Sequence, residues 1–369
     1  MLHFSKYQGL GNDFLILEGR RGQLTAEIRD PSAEWVRRVC DRRFGVGGDG
    51  LILALPPDGV ADLRMRIFNA DGTEAEMCGN GIRCLARFLA DSDGSPVGVR
   101  WSIETPAGLI CPELQADGQL KVDMGAPFLQ SDQVPTGLAV SDRGLPEGVI
   151  DLDGMQIAVA AVGMGNPHVV VPVEDLDTIP FESWGAALER HPMFPARTNV
   201  HFLRVQDRRS LEIRVWERGA GPTLACGTGA CATLVAAVLL GLADDCAEVV
   251  LPGGPLMIEW RDRSGSVLMT GPAEAVFDGV LTPDLVPAGS SMASISEAPA
   301  APPAPTAATD FDCSKDCAEQ CQRPDRCLRD EAQQKVQAFL SSTSLDSMLN
   351  LASESLEQRT KARFERGTP

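Results

Sequence analysis

The strongest constraint on the fold of this 369-residue chain is an internal repeat. Four short blocks occur twice in the same order, the second copy about 150 residues after the first. The paired blocks are residues 9–17 and 163–171, 63–68 and 211–216, 78–81 and 226–229, and 106–108 and 252–254. The repeat predicts two copies of one fold of about 140 residues, facing each other across a pseudo-two-fold axis.

Each copy has the same order of predicted elements. An apolar strand follows a Gly-x-Gly-Asn turn, then come a helix and a strand that alternates apolar and polar residues, as at 63–67. A loop with Cys-Gly-x-Gly then opens a second, strongly apolar helix that must be surrounded. The helices are predicted at residues 33–41, 82–89, 184–190 and 230–242. The pattern predicts an α/β (α+β) fold, with a mixed or antiparallel sheet wrapped around a central helix, twice over.

The composition changes near residue 286. We therefore predict two halves, one for each copy of the repeat, at 1–130 and 131–285, a linker of Ala, Pro, Ser and Thr at 286–310, and an accessory tail at 311–369 with a helix at 331–366. The tail contains Cys313, Cys317, Cys321 and Cys327. Their spacing matches none of the paired Cys-x2-Cys motifs, so we assign no metal, although a zinc or cluster site and bridges under oxidation stay open.

The charge and composition of the chain argue against nucleic-acid and membrane partners. There are 33 basic and 51 acidic residues, a net charge of −18, and aromatic residues make up only 5%. A nucleic-acid-binding protein would have the opposite charge and more stacking side chains. The most apolar run, residues 230–243, is too short to span a bilayer, and no basic-then-apolar leader is recognised. We expect a cytoplasmic protein without nucleic-acid or membrane partners, whose 11 cysteines are thiols.

Cys78 and Cys226 occupy equivalent positions in the two copies, each directly before a predicted helix. A helix N-terminus offers free N–H groups and about half a positive charge, so we expect the pKa of each thiol to fall below roughly 8.5. The same N–H groups suit a carboxylate. If the copies face each other, two thiols flank one anionic site. This arrangement suits inversion at carbon, because one thiolate removes a proton while the opposite thiol delivers one.

Several motifs together resemble those of the diaminopimelate epimerases. They are Asn12 in Gly-Leu-Gly-Asn-Asp-Phe, Asn69 in Phe-Asn-Ala-Asp-Gly, Cys78 in Met-Cys-Gly-Asn-Gly, Asn166 in Gly-Asn-Pro-His, Glu217 and Arg218 in Trp-Glu-Arg-Gly, and Cys226 in Ala-Cys-Gly-Thr-Gly-Ala. The resemblance covers about residues 1–283, with the motifs in the family order. It implies epimerisation of LL-diaminopimelate to the meso form without pyridoxal phosphate, in lysine and peptidoglycan precursor synthesis. It also implies the pseudo-symmetric fold and a homodimer.

The resemblance assigns roles to individual residues. Cys78 and Cys226 correspond to the acid/base pair, and His168 and Glu217 to the residues that adjust the thiols. The implied substrate contacts are Asn12, Asn69, Gly79, Asn80, Asn166, Asn199, Glu217, Arg218, Gly227 and Thr228. These residue types suit a substrate with two amino-carboxylate ends, which needs amides, an Arg and a carboxylate. For each of the Asn residues, hydrogen bonding to backbone groups in a turn stays open as a structural role. His168 could equally be a buried histidine with a structural role.

Other reactive side chains receive no functional role. The cysteines assigned to packing are Cys40, Cys84, Cys111, Cys231 and Cys246, and the histidines without a motif are His3, His191 and His201. The chain departs from some family members at Tyr7 and Gln8, where they have Met and His. It also has Gly50 where some place a Gln that touches substrate. Glycine has no side chain, so that contact is not carried over.

Three alternative functions stay open. A proline racemase-like enzyme would share the thiol pair but would not need Asn69, Asn166, Asn199 and Arg218 for a small ring. A thiol redox protein would exchange Cys78 and Cys226 between dithiol and disulfide, although such pairs are usually local Cys-x-x-Cys motifs. An amino-acid-sensing module would not need two reactive thiols, so replacing either Cys with Ser would leave its function intact.

Overall fold

The computed structural model describes residues 2–20, 24–152 and 154–287. Its strands, in chain order, are β1 (Leu2–Gly9), β2 (Asn12–Glu18), β3 (Gly50–Leu55), β4 (Leu63–Asn69), β5 (Glu74–Ala75), β6 (Ile103–Thr105), β7 (Gly108–Ile110), β8 (Glu113–Leu114), β9 (Leu120–Asp123), β10 (Glu147–Leu152), β11 (Met155–Gly163), β12 (Pro167–Pro172), β13 (Asn199–Asp207), β14 (Ser210–Glu217), β15 (Gly221–Thr223), β16 (Cys246–Leu251), β17 (Gly254–Glu259), β18 (Leu268–Gly271) and β19 (Glu274–Leu281). Its helices are α1 (Ala26–Arg29), α2 (Ala33–Cys40), α3 (Gly79–Asp93), α4 (Phe181–Glu189) and α5 (Gly227–Leu239), with a 3-10 turn at Pro283–Leu285. The predicted linker, tail helix and tail cysteines lie outside the described residues.

The strands form two mixed sheets, one for each copy of the repeat. The first has the order β19-β1-β2-β3-β4-β6-β7, with β5 added to β4. The second has the order β10-β11-β12-β13-β14-β16-β17-β18-β9-β8, with β15 added to β14. Each sheet has two parallel pairs among its antiparallel ones. They are β2 with β3 and β4 with β6 in the first sheet, and β12 with β13 and β14 with β16 in the second. The predicted pair of mixed sheets is therefore confirmed.

Each sheet wraps around one central helix and carries a second helix on its outer face. Helix α3 packs against β1, β2, β3 and β9, and α5 against β11, β12, β16 and β17. One apolar core contains both central helices, while α2 and α4 cover separate clusters on the outer faces. The alternation predicted at 63–67 is present in β4, whose Leu63, Met65 and Ile67 are buried between partly exposed Arg residues. Among the described helices, none has the length and apolar character to cross a bilayer.

The two sheets exchange strands across the repeat boundary. Strand β19, from the end of the second copy, pairs with β1, while β9 pairs with β18 of the second sheet. These pairings tie the halves into one body, and the boundary at residue 130 stays a prediction. They also bring the N-termini of α3 and α5 together, where a Cβ on either Gly79 or Gly227 would lie 3.7 Å from the other's Cα. The absence of side chains at both glycines permits this approach.

Helix boundaries differ from prediction at the two central helices and at α4, which begins at Phe181 instead of residue 184. Helix α3 begins at Gly79 and α5 at Gly227, three residues before the predicted starts at 82 and 230. The Gly-rich first turn has low intrinsic helix propensity, so the sequence alone marks it as loop. In the structure Cys78 and Cys226 are the N-cap residues, and packing between the two helix ends holds these turns in helical form.

Candidate active site

Cys78 caps the N-terminus of α3. Its backbone is extended, with φ −139° and ψ 120°, and its Sγ accepts a hydrogen bond from the N–H of Gly81 at 3.4 Å. The N–H of Asn80 also donates to this sulfur. The residue as a whole is partly exposed, although its thiol is desolvated. A sulfur that accepts two N–H groups at the positive end of a helix is placed to carry negative charge.

Cys226 has the equivalent position at α5 but a different environment. It is buried, its Sγ lies 3.6 Å from the Oγ1 of Thr228, and it accepts from the N–H of Gly229. Its thiol is also within hydrogen-bonding range of the Glu217 carboxylate. The two thiols are close enough for a charge on Cys78 to raise the pKa of Cys226. The structure thus brings both sulfurs and one carboxylate into a single site.

The acidity predicted for these thiols from their helix positions is wrong. Burial raises the pKa of the Cys78 thiol, and it raises the pKa of the Cys226 thiol well above its usual range. The Glu217 carboxylate raises the pKa of both thiols further, and the helix N–H groups offset only part of this. Desolvation therefore outweighs the helix dipole, because a buried thiolate loses more hydration than a few N–H groups replace.

Two Asn residues of the first half form a hydrogen-bonded chain beside Cys78. Asn80 donates to the Oδ1 of Asn12 at 3.2 Å, and Asn12 donates to the Oδ2 of Asp49 at 2.7 Å. The Asn80 Nδ2 also lies 3.4 Å from the backbone carbonyl of Ala225, the residue before Cys226. Asn80 therefore joins the two halves at the site. Asp49, at the end of this chain of hydrogen bonds, also acts on the second half, since its charge raises the pKa of Glu217.

Glu217 is the last residue of β14, and Arg218 leads into a turn that is held by two anchors. The Asn199 Oδ1 accepts from the N–H of Arg218 at 3.0 Å, and its Nδ2 donates to the carbonyl of Pro167. The buried Glu189 carboxylate accepts from the N–H of Gly219 at 3.0 Å. Glu217 itself accepts from the Oγ1 of Thr223 at 2.7 Å. Arg218 is exposed, and its Nη1 donates to the Ala196 carbonyl. In this structure Asn199 therefore acts as a capping residue for the turn.

His168 and Asn166 lie next to Cys226, together with a histidine that the sequence did not single out. The Nε2 of His168 is 2.7 Å from the Asn166 Oδ1, and its Nδ1 is 2.9 Å from the Nε2 of His201. Both rings are fully buried. Burial lowers the pKa of His168 well below its usual range and that of His201 to about 3. Both imidazoles are therefore neutral in the folded protein.

Asn69 lies apart from these networks. It ends β4, where its Nδ2 donates to the Oγ1 of Thr73 at 3.0 Å. No described hydrogen bond joins it to another predicted site residue. Gly50 lies opposite it in the register of β3 and β4. A Cβ at Gly50 would be 2.5 Å from the carbonyl oxygen of Phe68, so this backbone leaves no room for the side chain that some relatives have there.

Comparison with known proteins places these residues in a family. The model of the family described as diaminopimelate epimerase matches residues 4–129 and 160–276. The chain belongs to the diaminopimelate epimerase family. It is 66% identical over 287 residues to the diaminopimelate epimerase of Prochlorococcus marinus, covering 78% of this chain and 95% of that protein. It is 49% identical over 285 residues to the chloroplastic diaminopimelate epimerase of Oryza sativa subsp. japonica, covering 75% and 79%. As a family member the chain is an isomerase.

Solved structures of more distant proteins share the fold of this diaminopimelate epimerase family member. A probable proline racemase from Agrobacterium radiobacter matches with a TM-score of 0.55 at 17% identity, covering 77% of this chain and 94% of that one. A Bacillus anthracis phenazine biosynthesis protein of the PhzF family matches with a TM-score of 0.54 at 20% identity, covering 76% and 99%. At these identities the likeness concerns the fold alone.

Arg83 is a second residue of this epimerase family member that the sequence analysis missed. It is fully buried on α3, one turn after Cys78, between Gly9 and Gly271. Its guanidinium donates to the Gly79 carbonyl at 3.0 Å, the Asn80 Oδ1 at 2.8 Å and the Pro272 carbonyl at 3.3 Å. Part of the signal was available, because Arg83 and Arg87 are the two charged residues among residues 79–90, and Arg83 is the one that the fold buries.

We expect Arg83 to favour ionisation of Cys78. Its positive charge lowers the pKa of Cys78, against the effect of burial. In Arg83→Met that charge is lost, so the pKa of Cys78 rises and alkylation of Cys78 by iodoacetamide shifts to higher pH. Arg83→Lys, which keeps the charge, is the matched control and should shift less. Mass spectrometry of the Cys78 peptide across a pH series measures this, and identical profiles for wild type and Arg83→Met would contradict it.

Proposed function

We propose that this chain epimerises LL-2,6-diaminopimelate to meso-diaminopimelate by a cofactor-independent, two-thiol mechanism. The observation that carries the proposal is the pairing of Cys78 and Cys226 at two helix N-termini that meet in one site. The family and its curated relatives, named diaminopimelate epimerase, support the substrate. The reaction contributes to lysine and peptidoglycan precursor synthesis.

The helix ends are proposed to bind the reacting carboxylate. The first N–H groups of α3 and α5, at Gly79, Asn80, Gly227 and Thr228, lie at the positive ends of the two helices, where anions bind. The Asn80 N–H is shared with the Cys78 sulfur. Asn12, Asn69, Asn166, Asn199 and Arg218 are proposed to contact the remaining polar groups of the substrate. Glu217 is proposed to accept from a substrate ammonium group, since it is the carboxylate nearest to both thiols. A substrate with amino-carboxylate groups at both ends uses all of these donors and acceptors.

The repeat explains why two thiols are present, but its two copies are not electrostatically equal. In the repeat alignment Asn69 corresponds to Glu217, and Arg83 corresponds to Cys231. The first thiol therefore has a buried cation nearby, while the second has a carboxylate. Both differences favour the form in which Cys78 is the thiolate and Cys226 keeps its proton. Because the two thiols interact, their protons are lost in two steps that belong to the pair and not to either thiol alone.

Substrate binding is proposed to complete the ionisation. The charge of Glu217 raises the pKa of both thiols in the free protein. A substrate ammonium beside that carboxylate cancels part of this effect, so the Cys78 thiol loses its proton more easily. The Cys78 thiolate, which is the base in the proposed reaction, thus forms in the complex with substrate.

The proton transfers are proposed to use the two sulfurs on opposite faces of the α-carbon. The Cys78 thiolate takes the α-proton from one face, and the electrons of that C–H bond move into the carboxylate, whose charge the helix N–H groups stabilise. The Cys226 thiol delivers its proton to the opposite face of the same carbon. The products are the inverted amino acid, a Cys78 thiol and a Cys226 thiolate. The reverse reaction uses the sulfurs in exchanged roles.

The assembly and location also stay proposals. We propose a cytoplasmic homodimer, as the family resemblance implies. The edge strand β19 supports the dimer, because its Val276, Phe277 and Val280 side chains are 51%, 45% and 44% exposed. An apolar edge strand favours pairing with another chain. His168 and Glu217 are proposed to adjust the acidity of the thiols, as their positions beside Cys226 allow.

The substrate is tested by stereochemical analysis of products. The purified full chain, under reducing conditions and without added cofactor or metal, is expected to interconvert LL- and meso-diaminopimelate. L-2-Aminopimelate, which lacks the distal amino group, is expected to react much more slowly. Proline and hydroxyproline are expected to be inert. Turnover of a proline substrate faster than diaminopimelate would replace the proposed function with that of a proline racemase-like enzyme.

A further inference from the structure

A compact set of buried metal-ligating groups lies at the second thiol. One ring nitrogen each of His168 and His201 and the Sγ of Cys226 all lie within 4.8 Å of one another. The two rings are fully buried and Cys226 is 6% exposed. Among the described residues these form the single group of this kind. The proposed reaction needs only the Cys226 sulfur and its proton, so the second histidine has no role in it.

The hydrogen bonds define which nitrogens carry protons. The Asn166 Oδ1 is an acceptor, so the Nε2 of His168 donates to it and the Nδ1 of His168 carries a lone pair. That Nδ1 then accepts from the Nε2 of His201. The Nδ1 of His201 consequently carries a lone pair, and no hydrogen-bond partner reaches it within the described structure. A buried acceptor without a partner is uncommon and calls for a ligand.

The position of His201 is fixed by the fold. His201 lies on β13, whose parallel pairing with β12 places it beside the strand that carries His168. Its ring stands over Gly229, where a Cβ would lie 2.1 Å from the His201 Cε1. The missing side chain in the first turn of α5 therefore provides the space for this ring. The side-chain Oδ1 of Asn166 orients His168, in the way that residues next to the ligands orient metal-binding imidazoles in known sites.

We propose that His168, His201 and Cys226 form an inhibitory Zn²⁺ site that overlaps the second catalytic thiol. Two imidazoles and one thiolate are the ligand types that Zn²⁺ prefers, at about 2.0–2.1 Å for nitrogen and 2.3 Å for sulfur. Tetrahedral coordination at those lengths requires the three atoms, which lie within 4.8 Å of one another, to move closer together. The fourth position is left for a water molecule, as in other zinc sites with three protein ligands. This inference rests on the proposed function for its effect on activity.

The chemical step is an exchange of a proton for the metal. Zn²⁺ binds the Cys226 sulfur and releases the thiol proton to solvent. His201 binds as a neutral ring through its unpartnered Nδ1, and His168 binds through its Nδ1, which gives up the hydrogen bond from the His201 Nε2. No oxidation or reduction occurs. The bound metal occupies the sulfur lone pair and removes the proton that the reaction would deliver. Epimerisation therefore stops until a chelator withdraws the metal.

The test measures metal binding and inhibition separately, on the full chain. Zn²⁺ affinity is taken from calorimetry, and Co²⁺ is used as a probe because a thiolate ligand gives it a sulfur-to-metal charge-transfer band. We expect His201→Asn to bind Zn²⁺ about 100-fold more weakly than wild type, with a matching rise in the concentration that inhibits. His3→Asn, at an exposed histidine, is the matched control and should behave as wild type. EDTA should restore wild-type activity.

Two further variants separate this site from other thiols. A chain with Ser at Cys313, Cys317, Cys321 and Cys327 removes the tail thiols and should keep the inhibition. Cys78→Ser should keep the cobalt band, whereas Cys226→Ser should lose it. Equal inhibition of wild type and His201→Asn would overturn the proposal, as would a cobalt band that survives in Cys226→Ser. Both binding measurements need no substrate, so failure of the proposed epimerase function would not be confused with failure of the metal site.

Discussion

Replacing either Cys78 or Cys226 with alanine is expected to lower kcat for epimerisation by about 10⁴-fold, the upper range for loss of a general acid or base. Each direction of the reaction uses one sulfur as base and the other as acid. Loss of either sulfur therefore disables both directions. Substrate binding should change less, because the helix N–H groups that are proposed to bind the carboxylate belong to the backbone. Steady-state kinetics in both directions, with circular dichroism to verify folding, measures this effect.

Cys231 provides the matched control for the two catalytic cysteines. It is fully buried on α5, five residues after Cys226, and burial raises its pKa to about 12. Cys231→Ala should therefore keep kcat within a few-fold of wild type, although the small cavity lowers stability by about 1 kcal/mol. Retention of a tenth or more of wild-type kcat in Cys78→Ala or Cys226→Ala would contradict the acid/base assignment.

Glu217→Gln is expected to separate thiol acidity from turnover. Its negative charge raises the pKa of both thiols in the free protein. Without that charge both pKa values fall, so both thiols should react with iodoacetamide at lower pH than in wild type. Turnover should nevertheless fall by about 10²–10³-fold, because a substrate ammonium loses its buried charged partner. A variant with more reactive thiols and slower catalysis is the predicted combination.

Glu212→Gln on the same strand provides the control for Glu217→Gln. Glu212 lies on β14 and pairs with Arg204 and Gln206, away from both thiols. We expect neither alkylation nor turnover to change measurably in this variant, since partly exposed ion pairs contribute little. If Glu217→Gln instead shifts alkylation to higher pH, or leaves turnover intact, the proposed role of Glu217 is wrong.

Much of the fold follows from the repeat in the sequence. The paired Cys-Gly-x-Gly blocks locate both central helices, and the all-round apolar character of residues 230–242 requires a surrounding sheet. The alternation at 63–67 identifies a half-buried strand, which is β4 in the structure. These signals are local periodicities, so a single sequence is enough to read them. The exchange of β9 and β19 between the sheets has no local signal and emerges only in three dimensions.

The electrostatics of the site could not be predicted in the same way. A position before a helix predicts an acidic thiol, but the depth of burial decides the outcome and reverses the sign. His201 carries no motif, and its contact with His168 depends on the register of β12 against β13. The inequality between Arg83 near the first thiol and Glu217 near the second is likewise a matter of spatial proximity. A repeat in sequence indicates symmetry, whereas these contacts show where the symmetry is broken.

Deuterium incorporation from heavy water tests the central claim, a two-thiol inversion, most directly. The wild-type chain, under reducing conditions and without added cofactor or metal, should invert diaminopimelate and place solvent deuterium on the inverted α-carbon. Cys78→Ser and Cys226→Ser should both lose inversion, and any remaining exchange should favour opposite stereoisomers in the two variants, because each retains a sulfur on one face only. Inversion that persists in either variant, or exchange of the same stereoisomer by both, would contradict the two-thiol mechanism.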